Sequence, residues 1–322
     1  MRKALSVLGK AAVSGLLLYF ALKSVDMSAI KGRLSQIDPR WMAFALLLAV
    51  AQTFVLAVRW RQIVRQCGAA LSLGQLFRFG MIASFFNQTL PSSVGGDAIR
   101  IWLVGKHSNW RVGTYSVLLD RVVGTVALAI VVVICLPWTL ELVRNPIGRA
   151  ALVTIGIGCI AGGLIFVFLA WERLQILQRW SLTRHLTAAA SVGLAILTSP
   201  RSLATLFGLS VAIHILTAMT AWCAARTAGA DLSLLYAVFL VLPVVLVTVV
   251  PISIAGWGVR ESAMVAAFSY AGLPASDGLI VSLLFGATYL LLGALGGLVW
   301  ILTTDRLDRS AVSAASAADL GC

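Results

Sequence analysis

FFNQTLPSSVGGDAIR, residues 85–100, ends an apolar run with a proline, two glycines, an acid and an arginine. A segment that only crosses a bilayer needs none of these residues. The pattern P-x-S-x-x-G-x-x-x-R within it returns in PISIAGWGVR, residues 251–260. We interpret these two elements as the functional centre of the chain.

The composition is that of a membrane protein. Hydrophobic residues make up 60% and charged residues 11% of the 322 residues, and the mean hydropathy is +0.97. These values are typical of polytopic helical membrane proteins. The formal charge of +13 comes from Lys and Arg beside apolar segments, where they set topology and contact anionic head groups, so it argues against a nucleic-acid partner. The five cysteines and three histidines form no ligand pattern, and we predict neither a metal nor a cofactor.

The apolar segments predict an all-α transmembrane domain over residues 1–304 with about six to seven full spans, followed by a short, disordered cytoplasmic tail, residues 305–322. Residues 172–201 are basic and weakly apolar, which favours a cytoplasmic connection with an interfacial helix. The predicted spans cover residues 4–22, 41–58, 112–138, 150–171, 203–225, 232–250 and 279–303.

Two of the apolar runs are interrupted. The run 76–90 is too short to cross the bilayer before Pro91, and the run 232–250 leads directly into Pro251. Both patterns are typical of re-entrant or broken helices. Because irregular backbone at membrane depth must face protein or a water-filled cavity, we expect the two elements to line a central cavity.

The basic residues predict the orientation. With the N-terminus inside and each interrupted element returning to its own side, 16 Lys and Arg lie on the cytoplasmic side, 7 outside and 2 within the membrane. This excess places both termini in the cytoplasm of a bacterial inner membrane. The two elements then enter from opposite faces, as the inverted, broken helices of transporters do.

Six backbone-shaping residues interrupt these helices. Prolines stop the incoming helix and glycines permit tight turns. Each outgoing half-helix then presents N–H groups and a positive dipole end that suit a phosphate. The six residues are Pro91, Gly95, Gly96, Pro251, Gly256 and Gly258.

Arg100 and Arg260 end the two motifs, where a guanidinium can join those N–H groups around a lipid phosphate. A second interpretation of Arg100 is that it snorkels to the cytoplasmic interface. Arg260 has long apolar runs on both sides, which favours a functional role within the membrane.

Two acids accompany these arginines. Asp97 either only caps the outgoing half-helix or also contacts a cationic head group. Glu261 is either a first-turn acid that complements the helix dipole or a site residue. Because adjacent helical residues diverge by about 100°, we expect that Arg260 and Glu261 do not neutralise each other in full and that each needs another partner.

Further polar residues lie within the apolar segments. Asp120 and Arg121 approach the bilayer midplane, where an ionisable pair either serves the substrate or joins two helices. Asn87 either contacts a head group or holds freed backbone. The tryptophans, Trp60 among them, are typical of interfacial belts.

The segments FNQTLPSSVGGDAIR, LLDRVVG and PISIAGWGVRE, in this order, resemble the flippase-like transmembrane family typified by the membrane half of lysylphosphatidylglycerol synthases, the multiple peptide resistance factors. The resemblance covers nearly the whole chain. It implies a bundle with two facing re-entrant elements that moves an aminoacylated or otherwise polar lipid between leaflets. It also implies a cavity that holds or adjoins Asn87, Asp97, Arg100, Asp120, Arg121, Arg260 and Glu261.

Bifunctional members of that family continue into a soluble aminoacyl-transferase domain, whereas about twenty residues follow the last predicted span here. We therefore do not predict lysyl transfer. The leading hypothesis is translocation of a polar or phosphate-bearing membrane lipid. The alternatives are an integral membrane enzyme with Asp97 or Glu261 as general base, and an accessory subunit of a lipid-modifying enzyme.

Overall fold

The computed structural model describes residues 15–16, 19, 37–90, 95–171, 199–249, 253 and 256–319. Every regular element in this part of the chain is an α-helix, which confirms the all-α prediction. In chain order the helices are α1 (Pro39–Gln66), α2 (Leu73–Thr89), α3 (Gly95–His107), α4 (Trp110–Leu142), α5 (Pro146–Trp171), α6 (Pro200–Thr227), α7 (Leu234–Thr248), α8 (Val259–Tyr270) and α9 (Ala275–Asp319). Pro91 and Pro251 lie outside the described residues, as do nearly all of the predicted span 4–22 and connection 172–201.

Four of the described helices are long and apolar enough to cross a membrane, namely α1, α4, α6 and the Ala275–Thr303 part of α9. Shorter apolar helical stretches are Pro146–Ala161 in α5 and the whole of α7. The chain is therefore a polytopic helical membrane protein. Several of these helices extend beyond the predicted spans because polar groups cap them. The Asp38 carboxylate, for example, accepts a hydrogen bond from the Arg40 N–H and starts α1 before the apolar run.

Two short helices, α2 and α3, follow α1. α2 begins at a capping box in which Ser72 and Gln75 exchange hydrogen bonds. Its 17 residues span about 26 Å, less than the roughly 30 Å of a hydrocarbon core. α3 begins at Gly95 and packs against α2, so the helix is interrupted where the first motif predicts.

The second interruption lies between α7 and α8. α7 ends at Thr248 and α8 begins only at Val259. Gly256 and Gly258 have φ values of +81° and +85°, in the left-handed region that glycine adopts without steric cost. These two glycines therefore allow the backbone to turn between α7 and α8.

The last helix, α9, packs against both interrupted elements through glycines. A Cβ atom at Gly296 would collide with the Met81 carbonyl oxygen in α2, and one at Gly278 would lie 2.7 Å from the Met264 carbonyl oxygen in α8. Close backbone approach of this kind joins transmembrane helices by van der Waals packing. α9 thereby fixes the two interrupted elements relative to each other.

α9 also continues to Asp319, although composition predicted a disordered tail from residue 305. That expectation rested on the small, polar residues of the segment. Five alanines in residues 311–319 and the lack of Gly and Pro there instead favour helix.

The α9 contact with α2 predicts a site that does not tolerate a methyl group. Gly296→Ala should destabilise the protein by about 1–3 kcal/mol, because a backbone carbonyl cannot move aside without separating two helices. Gly208→Ala in α6 is the matched control, since its Cβ would meet nothing within 4 Å. Denaturant unfolding in detergent micelles measures both variants. Equal effects of the two substitutions would contradict the close approach.

Candidate functional site

Asp120 of α4 lies between two arginines from other helices. Its Oδ1 is 2.9 Å from Arg59 Nε in α1, and its Oδ2 is 2.8 Å from Arg100 Nη2 in α3. The Asp120 side chain is only 2% exposed. A carboxylate this deep is stable when both oxygens accept charge-assisted hydrogen bonds. Asp120 therefore ties α1, α3 and α4 together.

Asp97 of α3 forms the second part of this cluster. Its Oδ2 lies 2.6 Å from Arg121 Nε, and its Oδ1 lies 3.5 Å from Arg100 Nη1. Arg121 is the exposed member, with 51% of its side chain accessible. Asp120 and Arg121 are thus not an ion pair with each other, because adjacent positions on α4 present them to different partners. We call Arg59, Asp97, Arg100, Asp120 and Arg121 the charge cluster.

Arg100 is buried within the charge cluster, with 6% of the residue exposed. Its guanidinium carbon also lies 3.9 Å from the centroid of the Trp60 ring. The alternative in which Arg100 snorkels to the interface is therefore wrong. The assignment of Trp60 to an interfacial belt is also wrong, since Trp60 is fully buried and its Nε1 donates to Ser116 Oγ.

Sequence reasoning missed Arg59. In the sequence it looked like a basic residue that closes a span. α1 instead continues seven residues beyond it to Gln66 and carries it into the interior, where Nη1 donates to Ser210 Oγ at 2.9 Å. The sequence carries no local signal for this, because the depth of Arg59 depends on the length of α1 beyond it.

Arg260 and Glu261 form a second, smaller cluster in α8. Arg260 Nη2 lies 2.7 Å from Glu261 Oε1, and Ser282 of α9 hydrogen-bonds both side chains. Glu261 Oε2 also accepts from the Gly258 N–H at 2.6 Å. Arg260 and Glu261 thus each have a further partner, Ser282 and the Gly258 N–H, in addition to their contact with each other. A helical projection of adjacent residues does not show that contact, because it depends on the side-chain conformations.

Asn87 holds backbone at the first interruption. Its Oδ1 accepts from the Gly96 N–H at 2.9 Å, and a Cβ at Gly96 would lie 2.5 Å from this oxygen. Of the two roles that the sequence left open for Asn87, this geometry favours the one in which it satisfies freed backbone. It also explains why a glycine occupies position 96.

A cavity of about 240 Å³ lies beside the second cluster. Of the seven predicted site residues, only Arg260 lines it. Arg100 does not line this cavity. The charge cluster adjoins the cavity through Gly124 of α4. The Gly124 carbonyl oxygen is 3.1 Å from Nε2 of the lining residue His214, and a Cβ at Gly124 would lie 3.1 Å from Arg59 Nη1. The lining residues are Gln52, Ile213, His214, Thr217, Val245, Thr248, Gly256, Arg260, Phe285 and Tyr289.

The cavity offers a charged donor and several neutral polar groups. Within the described part of the chain, the hydrogen bonds of the Arg260 guanidinium all involve Nε and Nη2, which leaves Nη1 for a ligand. Tyr289 donates its hydroxyl to Gln52 Oε1 at 2.7 Å. His214 Nε2 carries a proton, because its partner is a carbonyl oxygen, which only accepts. Such a lining can bind an oxyanion with hydroxyl groups.

Other chemistry finds less support in this geometry. The described residues contain no group of three His, Cys, Asp or Glu placed to hold a metal ion. Burial raises the pKa of the Cys67 thiol, at the end of α1, to about 11, which disfavours a reactive thiolate. A separate groove of about 180 Å³ beside α7 has an apolar lining without charged side chains. The polar cavity is therefore the candidate site.

Residues 7–297 match the family described as the lysylphosphatidylglycerol synthase TM region. The chain belongs to this family. The match confirms the resemblance of its motifs, and membership in the lysylphosphatidylglycerol synthase TM family fits a membrane role related to lipids. Direct comparison with curated proteins finds no match.

The contribution of the charge cluster to folding can be measured. Asp120→Asn leaves the buried Arg59 and Arg100 without their shared carboxylate, so the free energy of unfolding should fall by about 3–5 kcal/mol. Asp231→Asn, at an exposed position, should change it by less than about 0.5 kcal/mol. Denaturant unfolding followed by tryptophan fluorescence compares them. An Asp120→Asn protein as stable as the control would show that the cluster is not needed for folding.

Proposed function

We propose that the protein translocates a polar or phosphate-bearing lipid between the leaflets of the bacterial inner membrane, with both termini in the cytoplasm. The observation that carries this proposal is the polar cavity among the helices of a membrane protein, with one arginine edge left for a ligand. A polar cavity at membrane depth marks a substrate path more often than a structural feature. Membership in a lipid-related transmembrane family supports the same assignment.

In this proposal the Arg260 guanidinium, rather than the start of α8, contacts the lipid phosphate. The Gly258 N–H already bonds Glu261, so the helix start is partly satisfied. Glu261 and Ser282 hold the Nε edge of Arg260, which lines the cavity, and none of these hydrogen bonds uses Nη1. A preoriented guanidinium binds a phosphate oxygen with a smaller loss of side-chain entropy than a free one.

We further propose that the two interrupted elements enter the membrane from opposite faces and form the path of the head group. Their shared P-x-S-x-x-G-x-x-x-R pattern and the excess of basic residues on one side support this arrangement. The charge cluster fixes the first element, while the cavity borders the second. The proposed binding partner is a membrane lipid. A lipid-modifying enzyme that supplies this lipid is a second proposed partner.

The geometry gives less support to an integral membrane enzyme. Asp97 and Glu261, the candidate bases, are both bound by arginines, and neither lines the cavity. A general base has to reach the proton that it removes, directly or through one water. An accessory subunit likewise does not require a polar cavity with an unoccupied arginine edge.

Reconstitution tests the proposal. The full-length protein is placed in liposomes that contain a phosphatidylglycerol analogue labelled on its acyl chain, and dithionite reports the fraction of label in the outer leaflet over time, with and without a pH gradient. Translocation should exceed that of protein-free liposomes. Arg260→Lys should slow it about tenfold, since an ammonium cannot bond Glu261, Ser282 and a phosphate in the same geometry.

Arg226→Lys, at the exposed end of α6, is the matched control and should translocate at the unchanged rate. Size-exclusion profiles and unfolding curves show that each variant is folded. Translocation no faster than in protein-free liposomes, under every gradient, would refute the proposal. Equal rates for the two lysine variants would leave translocation in place and remove Arg260 from the path.

A further inference from the structure

We infer that the cavity selects lipid head groups of net negative charge over zwitterionic and cationic head groups. The preferred head group is a phosphodiester that also carries hydroxyl groups. This inference rests on the proposed function and specifies its substrate class. It follows from the charges that line the cavity and from the way in which the buried acids are occupied.

The described residues of the lining carry one fixed charge, and that charge is positive. Among the described residues that line the cavity, Arg260 is charged, His214 is either neutral or cationic, and none is a carboxylate. A head-group ammonium therefore finds no carboxylate partner in this lining, whereas a phosphate finds the Arg260 Nη1 edge.

Among the described residues, the three acids predicted for the site already accept hydrogen bonds from arginines. Asp120 accepts from Arg59 and Arg100, and Asp97 from Arg121. Glu261 accepts from the Gly258 N–H as well as from Arg260 and Ser282. A cationic head group would have to displace a guanidinium from a buried carboxylate and leave that arginine unpaired, which is unfavourable.

The neutral groups suit hydroxyls. Thr217 Oγ1 donates to the Ile213 carbonyl oxygen and Thr248 Oγ1 to the Val245 carbonyl oxygen, so both oxygens keep lone pairs for a ligand donor. Gln52 Oε1 accepts from Tyr289, which leaves the Gln52 amide N–H groups as donors. The cavity thus combines donors for an oxyanion with acceptors for hydroxyl groups.

Three lipid analogues with identical labelled acyl chains test this selectivity in the full-length protein. They are phosphatidylglycerol, phosphatidylethanolamine and lysyl-phosphatidylglycerol, with head groups of net negative, zero and net positive charge. Phosphatidylglycerol should be translocated at least about tenfold faster than the lysyl lipid. Binding of the same lipids in detergent, followed by native mass spectrometry, should show the same order.

Gln52→Glu places one carboxylate in the cavity and keeps the oxygen that accepts from Tyr289. It should reduce the preference for phosphatidylglycerol over the lysyl lipid at least about tenfold, because a carboxylate repels the phosphate and pairs with the ammonium. Gln75→Glu is the matched control. It adds the same charge at the capping box of α2, which glutamate also satisfies, and should leave the preference unchanged.

The outcomes separate this inference from the proposed function. Binding that prefers phosphatidylglycerol, without translocation of any lipid, would support the selectivity and refute the translocation. Translocation or binding that is equal for the three lipids, or that favours the lysyl lipid, would overturn the inference and leave the proposed function intact. Inorganic phosphate is the probe for a free anion. If millimolar phosphate abolishes lipid binding in the wild-type protein and not in Arg260→Lys, the site binds free phosphate, and the inference is wrong.

Discussion

The Asp120 carboxylate, held between Arg59 and Arg100, is the contact on which the first half of the structure depends. A buried charge far from water is tolerated only when it is paired and hydrogen-bonded. Three helices must therefore place their side chains to within hydrogen-bond distance of one another. These ion pairs fix the short α3 beside the long α1 and α4, in addition to the apolar packing of Leu103 and Val104.

The second half of the structure pairs its motif arginine in a similar way. Arg260, like Arg100, ends a P-x-S-x-x-G-x-x-x-R motif and has both an acid and an aromatic ring beside it. Its partner on the following long helix is Ser282, whereas Arg100 bonds Asp120 there. The serine hydroxyl oxygen accepts a hydrogen bond from the guanidinium Nε and adds no second charge. One motif thus yields a multi-residue ion network in the first half and an arginine with one acidic partner in the second.

The sequence predicts the helices and both interruptions well, because apolar runs, proline and paired glycines act locally. It predicts the ion pairs poorly. Arg59 has the pattern of an interfacial residue, and only the length of α1 beyond it reveals its depth. Arg260 and Glu261 diverge on a helical projection, but their pairing depends on side-chain rotamers that a projection leaves out. Which charges meet is a property of the tertiary structure, since partners such as Arg59 and Asp120 are 61 residues apart.

The neighbours of the two motif arginines differ. Around Arg100, the Trp60 ring covers the guanidinium, and Asn87 lies against Gly96. Around Arg260, the side of α9 is occupied by Ser282 and by Gly286, whose Cβ would collide with the Arg260 Nη2 atom. α9 thus contacts the guanidinium at the Nε and Nη2 edge through Ser282, and its Phe285 ring lies 5.7 Å from the guanidinium carbon. Arg260 lines the cavity together with polar side chains from α1, α6 and α7, because Gln52, His214 and Thr248 also face it.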